Sequence, residues 1–182
     1  MIEVLLILTV LLAGSVWVFN RLVRDRNRVL AAWSDIDVQL KRRYDLVPQL
    51  VTAVKAYSEH EQATMKAVTE LRTRSEASES LPLRAAIEDA MEQAVHQLIV
   101  VAEDYPDLKA DQNFRQLTEQ IAEVEDHLQY ARRYYNGSVR NLNTRIQSFP
   151  HLLIARPMNF QEAEFFEVND ASERKAVQVE LS

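Results

Sequence analysis

Phe114–Leu142 reads FRQLTEQIAEVEDHLQYARRYYNGSVRNL. Apolar or small side chains return at Phe114, Leu117, Ile121, Val124, Leu128, Ala131, Tyr135, Ser138 and Leu142, in steps that alternate three and four. That period is the seam of a helix packed along others in a bundle or coiled coil. Glu119, Glu123, Glu125, Arg132 and Arg133 fall outside the seam. Gly137 interrupts it at a cost of about 1 kcal/mol relative to Ala, and is read as a place where a neighbour comes close. Phe149-Pro150 ends the helix, because a residue before proline is steered away from helical geometry.

Upstream, EDYPDLKADQN (Glu103–Asn113) reads as a loop, with Asp111 or Asn113 as the cap of the long helix. Before it, Leu83–Val101 forms a helix with Leu83, Ile87, Ala90, Met91, Ala94, Leu98 and Val101 in line. SEASESLP (Ser75–Pro82) is the clearest loop. Another stripe runs through Trp33, Ile36, Leu40, Tyr44, Val47, Val51, Val54 and Tyr57 without a phase shift. It crosses Pro48, where a kink is expected rather than a hairpin turn, and the helix is expected to continue to about Ser75.

The chain opens MIEVLLILTVLLAGSVWVFN (Met1–Asn20), an apolar run followed by Arg21, Arg24, Arg26 and Arg28 with no Gly or Pro between. A cleaved signal peptide would have a basic start, and here Glu3 stands there. A buried core helix would not need so many arginines at its exit. The remaining reading is a single span of the lipid bilayer through residues 2–19, with Trp17 and Phe19 at the interface. The arginines place the body on the cytoplasmic side, and this helix continues into the stripe from Trp33.

Composition agrees. The 182 residues hold two Gly and five Pro, and no Cys. So few breakers favour long helices over β-rich folds, and no disulfide or thiol chemistry is available. The net charge is −6, and Glu3 is the only charged residue before position 20, so the body carries −5. That balance argues against a nucleic-acid partner. The expected class is therefore all-α: an N-terminal transmembrane helix followed by a bundle of long helices. Its divisions are an anchor over 1–20, a bundle over 21–150 and a partly mobile tail over 151–182, whose one apolar cluster is Phe160, Phe165 and Phe166.

Two blocks carry a family resemblance. VRDRNRVLAAWSDIDVQLKRRYDLVPQLV (Val23–Val51) and Ala102–Pro150 resemble the motifs of LemA family proteins, with Trp33, Asp37, Arg42, Arg43, Asp45, Pro48, Tyr105, Pro106, Asn113, Phe114, Arg132, Arg133, Asn136, Asn143 and Pro150 among the matching positions. EFFE at Glu164–Glu167 also fits. The resemblance covers about residues 20–150. It implies one transmembrane helix, a cytoplasmic body and an up-and-down antiparallel helical bundle of four-helix type, and it implies no catalytic activity or cofactor. Since it implies four helices, it leaves open whether Pro48 kinks one helix or separates two.

No catalytic constellation stands out. A di-metal bundle site needs Glu-x-x-His on two helices, yet Tyr57, Gln93 and Val124 stand three before His60, His96 and His127. Glu92 and His96 form one solvated i, i+4 pair, and Asp104, Asp107 and Asp111 suit turns and caps better than a calcium loop. No metal, cofactor or catalytic residue is expected. KRRYD and ARRYYN mark Arg42, Arg43, Arg132, Arg133 and Tyr134 as candidate interaction or bundle-edge residues, where Arg stems cover apolar surface. Arg21, Arg24, Arg26 and Arg28 flank the membrane. The expected protein is a non-enzymatic scaffold or adaptor of the bacterial inner membrane, single-pass, with a short N-terminus outside and an unknown protein partner at the cytoplasmic face. A membrane-remodelling or lipid-binding role is the alternative, and a cryptic metal-dependent enzyme a weaker one. Self-association is a secondary expectation, because the long seam exceeds what Leu83–Val101 can cover.

Overall fold

A computed structural model describes residues 1–57, 62–78 and 80–166. Its helices are α1 (Ile2–Lys55), α2 (Gln62–Glu76), α3 (Leu81–Val101), α4 (Pro106–Ala110), α5 (Gln112–Gln147) and α6 (Leu152–Ala155), and the described residues include no strand. The charged end of the chain, with the mobility expected there, lies outside the described residues, as does His60.

α1 runs unbroken from the apolar run into the bundle and through Pro48. At that turn the Gln49 amide donates to the Asp45 carbonyl at 2.9 Å and the Thr52 hydroxyl to the Pro48 carbonyl at 2.8 Å. These side chains serve carbonyls in a stretch of helix weakened by the missing proline N–H. The break comes later. α1 ends at Lys55 and α2 begins at Gln62, so the helix does not continue to Ser75 as the stripe suggested. Ser75 returns to Tyr44, which shows α2 running back along α1.

Ion pairs between helices fix the remaining directions. Arg84 meets Asp37 and Glu88 meets Arg43, so α3 runs alongside α1 in the same sense. Glu125 meets Arg43 and Arg145 meets Asp25, so α5 runs opposite to α1. The up-and-down bundle of α1, α2, α3 and α5 is the expected one. Its core holds the seam: Phe114, Leu117, Ile121, Val124, Leu128, Tyr135, Ser138 and Leu142 are buried, joined by Val139 and Ile146. From α1 it takes Leu22, Val29, Ala32, Ile36, Leu40, Val47, Leu50 and Val54.

Three local expectations change. The stretch read as a loop contains a 3₁₀ turn at Ala102–Asp104 and the short α4, with Leu108 fully buried. Asp111 is the cap of α5, accepting from the Phe114 N–H at 2.8 Å. Leu83 faces solvent, while Ala85 and Val95 join the α3 core. A methyl at Gly137 would meet nothing within 4 Å, so no neighbour demands a glycine there.

The half of the bundle nearer the apolar run has no α2 or α3 beside it. It is closed by the extended segment Phe160–Phe166. Asn136 holds Phe166 by both its backbone N–H (2.9 Å) and carbonyl (3.1 Å), and Asn143 holds Ala163 in the same way, at 2.9 Å each. The spacing is matched: seven helical residues rise about 10.5 Å, and three extended residues cover about 10 Å. Phe166 is buried by this strap, and Trp33 packs edge-on to Tyr135 and tilted to Phe166. The long seam is thus covered within one chain, by α1 and the strap rather than by α3.

Candidate functional site

At mid-bundle, each of the four main helices contributes to one buried polar cluster. Arg43 of α1 has no exposed side-chain surface. Its Nη1 donates to Glu88 Oε2 at 2.8 Å, its Nε to Glu125 Oε1 at 2.7 Å, and its Nη2 lies 2.5 Å from the same Glu125 oxygen. The other oxygen of Glu88 accepts from the hydroxyls of Tyr44 (α1) and Ser75 (α2). Burial raises the Tyr44 phenol to about 12, helped by its bond to Glu88. Burial also pushes the Glu125 carboxyl up, against the pull of Arg43. Glu88 is as deeply buried as Arg43. A charge so placed needs every partner it has. The cluster has no open face toward solvent at Arg43 or Glu88, so it is suited to setting helix register, not to receiving a substrate.

Three further ion-pair groups lie along the bundle. Arg132 meets Asp89 at 2.8 Å and Glu92 at 3.9 Å, and stacks 5.1 Å over the Phe166 ring. Arg84 meets Asp37 at 3.1 Å and stacks 5.4 Å over Trp33. Toward the apolar run, buried Asp25 holds Arg145 at 2.5 Å and Arg28 at 3.5 Å.

The candidate arginines therefore separate. Arg43 is at the centre of the bundle, not its edge. Arg132 is nearly buried, Arg42 meets Glu123 at 3.1 Å on the surface, and Arg133 stacks 4.7 Å over Tyr130. Tyr134 is exposed. Of the flanking arginines, Arg24, Arg26 and Arg28 are exposed and Arg21 is half-buried. Arg26 stacks 5.6 Å over Phe160.

Glu88, Asp25, Asp89 and Arg145 were not among the residues singled out from sequence. A signal existed for two of them. Asp25 stands three after Leu22 and four before Val29, and Glu88 stands three after Ala85 and three before Met91. Both lie on the apolar phase of their helix, and so does Arg43 between Leu40 and Val47. A charge on that phase is bound for the interior.

Among the open grooves of the described residues, two bear on the residues discussed above. One is lined by Asp89, Glu92, Gln93, His96, Gln97, Gln129 and Arg132; it holds Asp89 as well as Glu92 and His96, but Asp89 is paired with Arg132 and the three do not gather as a metal site. The other lies between α1 and α5 and is lined by Asp35, Val38, Gln39, His127, Tyr130, Ala131 and Tyr134. Val38, Tyr130 and Tyr134 are each more than half exposed there. Among the described residues, no three His, Asp or Glu side chains gather as a metal site would need.

The first turns of α1 are of a different kind. Among the described residues, one helix is long and apolar enough to cross a membrane, and only 6 % of its most apolar window is buried in the protein. A core helix of a soluble domain would be covered there.

Comparison with known proteins gives a consistent result. The model of the LemA family matches residues 32–181. Protein LemA of Metamycoplasma hominis is 27% identical over 168 residues, spanning 90% of this chain and 74% of that protein. Magnetosome protein MamQ 2 of Paramagnetospirillum magneticum is 22% identical over 189 residues, 90% of this chain and 70% of its own length. Magnetosome protein MamQ of Magnetospirillum gryphiswaldense is 22% identical over 181 residues, covering 85% and 66%.

Proposed function

The chain belongs to the LemA family, and from that premise we propose that it is a membrane-anchored scaffold or adaptor that acts through protein contacts and catalyses no reaction. The supporting observation is the groove between α1 and α5. Exposed Val38, Tyr130 and Tyr134 line it, with Arg133 stacked on Tyr130, and Leu30 is exposed two turns along the same face of α1 as Val38. Aromatic side chains and Arg are the types enriched where proteins bind one another. In the central cluster Arg43, Glu88, Tyr44 and Ser75 are engaged with one another and shielded from solvent, which turns recognition to the surface. Residues 2–19 hold the protein in the bacterial inner membrane. Arg21, Arg24, Arg26 and Arg28 keep the bundle cytoplasmic by the positive-inside rule. The α1 helix then presents the groove at a fixed height above the bilayer.

A photo-crosslinking side chain at Val38 or Tyr134 of the full chain, activated in cells, tests this. The expected result is a discrete adduct from both positions and none from exposed Leu83. An adduct of twice the protein's mass would identify a second copy as the partner. No adduct from either groove position would refute the assignment. Reporter fusions after Ser182 test the orientation, and activity only outside the cytoplasm would overturn it.

A further inference from the structure

The hook Ser148–Phe160, centred on α6, packs against the last turns of α1 before the bundle proper. Ala155 is fully buried, with Val18 and Leu22 in the same core, and Ile154 packs onto that core. Two ring contacts fix its height. Trp17 lies 6.2 Å from His151, and Phe19 lies 5.8 Å edge-on to Phe160. The hook therefore sits beside the end of the apolar run, not farther up the bundle.

Its outer side is apolar. Phe149 is 80% exposed, Leu153 62% and Met158 59%. Phe149 and Leu153 are four apart, where the Leu152 N–H donates to the Ser148 carbonyl at 2.9 Å and the Ala155 N–H to the His151 carbonyl at 2.8 Å. Phe149 stands in the turn before α6 and Leu153 within it, so the hook exposes apolar side chains on both sides of that junction. Exposed apolar side chains so grouped on a water-soluble surface would be costly. Here they continue the exposed surface of Val16 and Trp17 on α1. Arg24 and Arg156 are exposed in the same region.

We propose that this hook is a second membrane contact: Phe149, Leu153 and Met158 enter the boundary between lipid headgroups and acyl chains, with Arg24 and Arg156 against the phosphates. The inference rests on the reading of residues 2–19 as the span. Continuity with that span selects lipid over a protein partner, because a surface at this height meets the bilayer wherever the anchor is inserted. An interfacial segment needs an apolar side, a basic margin and a position at the headgroup level, and the hook has all three. Together with the span it would give the bundle two points of attachment, which fixes its rotation about α1 and hence the direction the α1–α5 groove faces.

The chain contains no Cys, so single nitroxide labels can be placed by Leu153→Cys, Met158→Cys, Leu8→Cys in the span and Tyr134→Cys in the groove. Each full-length variant is reconstituted in phosphatidylcholine vesicles containing a minority of phosphatidylglycerol. Collision with oxygen and with a water-soluble nickel chelate is then measured by electron paramagnetic resonance. The expected result is that positions 153 and 158 resemble position 8 in kind. Oxygen collision should be several-fold higher, and nickel collision several-fold lower, than at position 134. If position 8 reports lipid while 153 and 158 match 134, the hook proposal is overturned and the anchor stands. If position 8 itself reports water, the anchor reading fails and the hook proposal with it. Circular dichroism matching the unlabelled protein confirms that the labels left the fold intact.

Discussion

Removing Arg43 should cost this protein most of its margin of stability. In Arg43→Ala, Glu88 is left with no exposed side-chain surface and no cation. The hydroxyls of Tyr44 and Ser75 remain on its other oxygen but carry no positive charge. Breaking a buried pair in this way costs about 3–5 kcal/mol, against a total of roughly 5–15 kcal/mol for a typical domain. With a urea slope of about 2 kcal/mol per molar, the unfolding midpoint should fall by about 2 M. The companion is the double variant Arg43→Met with Glu88→Gln. It removes both charges, keeps a carbonyl to accept from Tyr44 and Ser75, and leaves Glu125 able to turn toward water from its partly exposed position. Buried pairs replaced together are often close to neutral, so the double should be more stable than Arg43→Ala by about 2 kcal/mol or more. The assay is urea unfolding of the full chain in a non-ionic detergent, followed by far-ultraviolet circular dichroism. The span stays helical in the micelle, so the lost signal reports the bundle. An Arg43→Ala midpoint equivalent to a loss under about 0.5 kcal/mol, the size expected for an ordinary surface change, would refute the claim that the charge is buried. With the single variants Arg43→Met and Glu88→Gln measured beside their double, strict additivity would refute the claim that the two groups act as a pair.

Three other substitutions have outcomes set by the same packing. Gly137→Ala should stabilise α5 by about 1 kcal/mol, because the new methyl meets nothing within 4 Å, and a raised midpoint in the same urea assay checks it. Asp111→Ala removes the acceptor for the Phe114 N–H and should cost about 1 kcal/mol, whereas Asp111→Asn should recover most of it. The folded value of Tyr44, about 12, lies above its ordinary 10, so above pH 10 the folded state holds a proton that the unfolded chain has released. Its contribution is full below pH 10 and declines as pH rises toward 12. Alkaline titration of tyrosine absorbance should show a late component that Tyr44→Phe removes.

Much of this architecture is legible in the order of residues. The three-four seam of α5 needs no tertiary information, since a helix that repeats an apolar side chain every half-heptad has one way to bury it. The apolar run beside four arginines is equally direct. The turn after Lys55 was not readable. AYSEHEQ (Ala56–Gln62) holds neither Gly nor Pro, and the stripe keeps its phase through Val54 while Pro48, the obvious breaker, lies inside the helix. Local preference in this stretch does not mark where α2 starts back. The central cluster was half legible. Arg42 and Arg43 look alike as letters, but only Arg43 shares the phase of Leu40 and Val47. Its partners Glu88 and Glu125 lie 45 and 82 residues away, a distance no local pattern spans. The strap showed in the sequence as the Phe160, Phe165 and Phe166 cluster and as the matching asparagines, but nothing local says that the two meet.

The strap also sets an order of events in time. The membrane-proximal face of α1, from Leu22 to Ile36, is covered by the last part of α5 and by Phe166. At roughly 5–20 residues per second, these covering residues leave the ribosome on the order of ten seconds after α1 does. The N-terminal run is thus available to the membrane insertion machinery well before the chain can close over its own continuation. A nascent chain stalled before Asn136 would be anchored but open along that face. Capture by the bilayer comes first, and the bundle then assembles on a helix already held at one end.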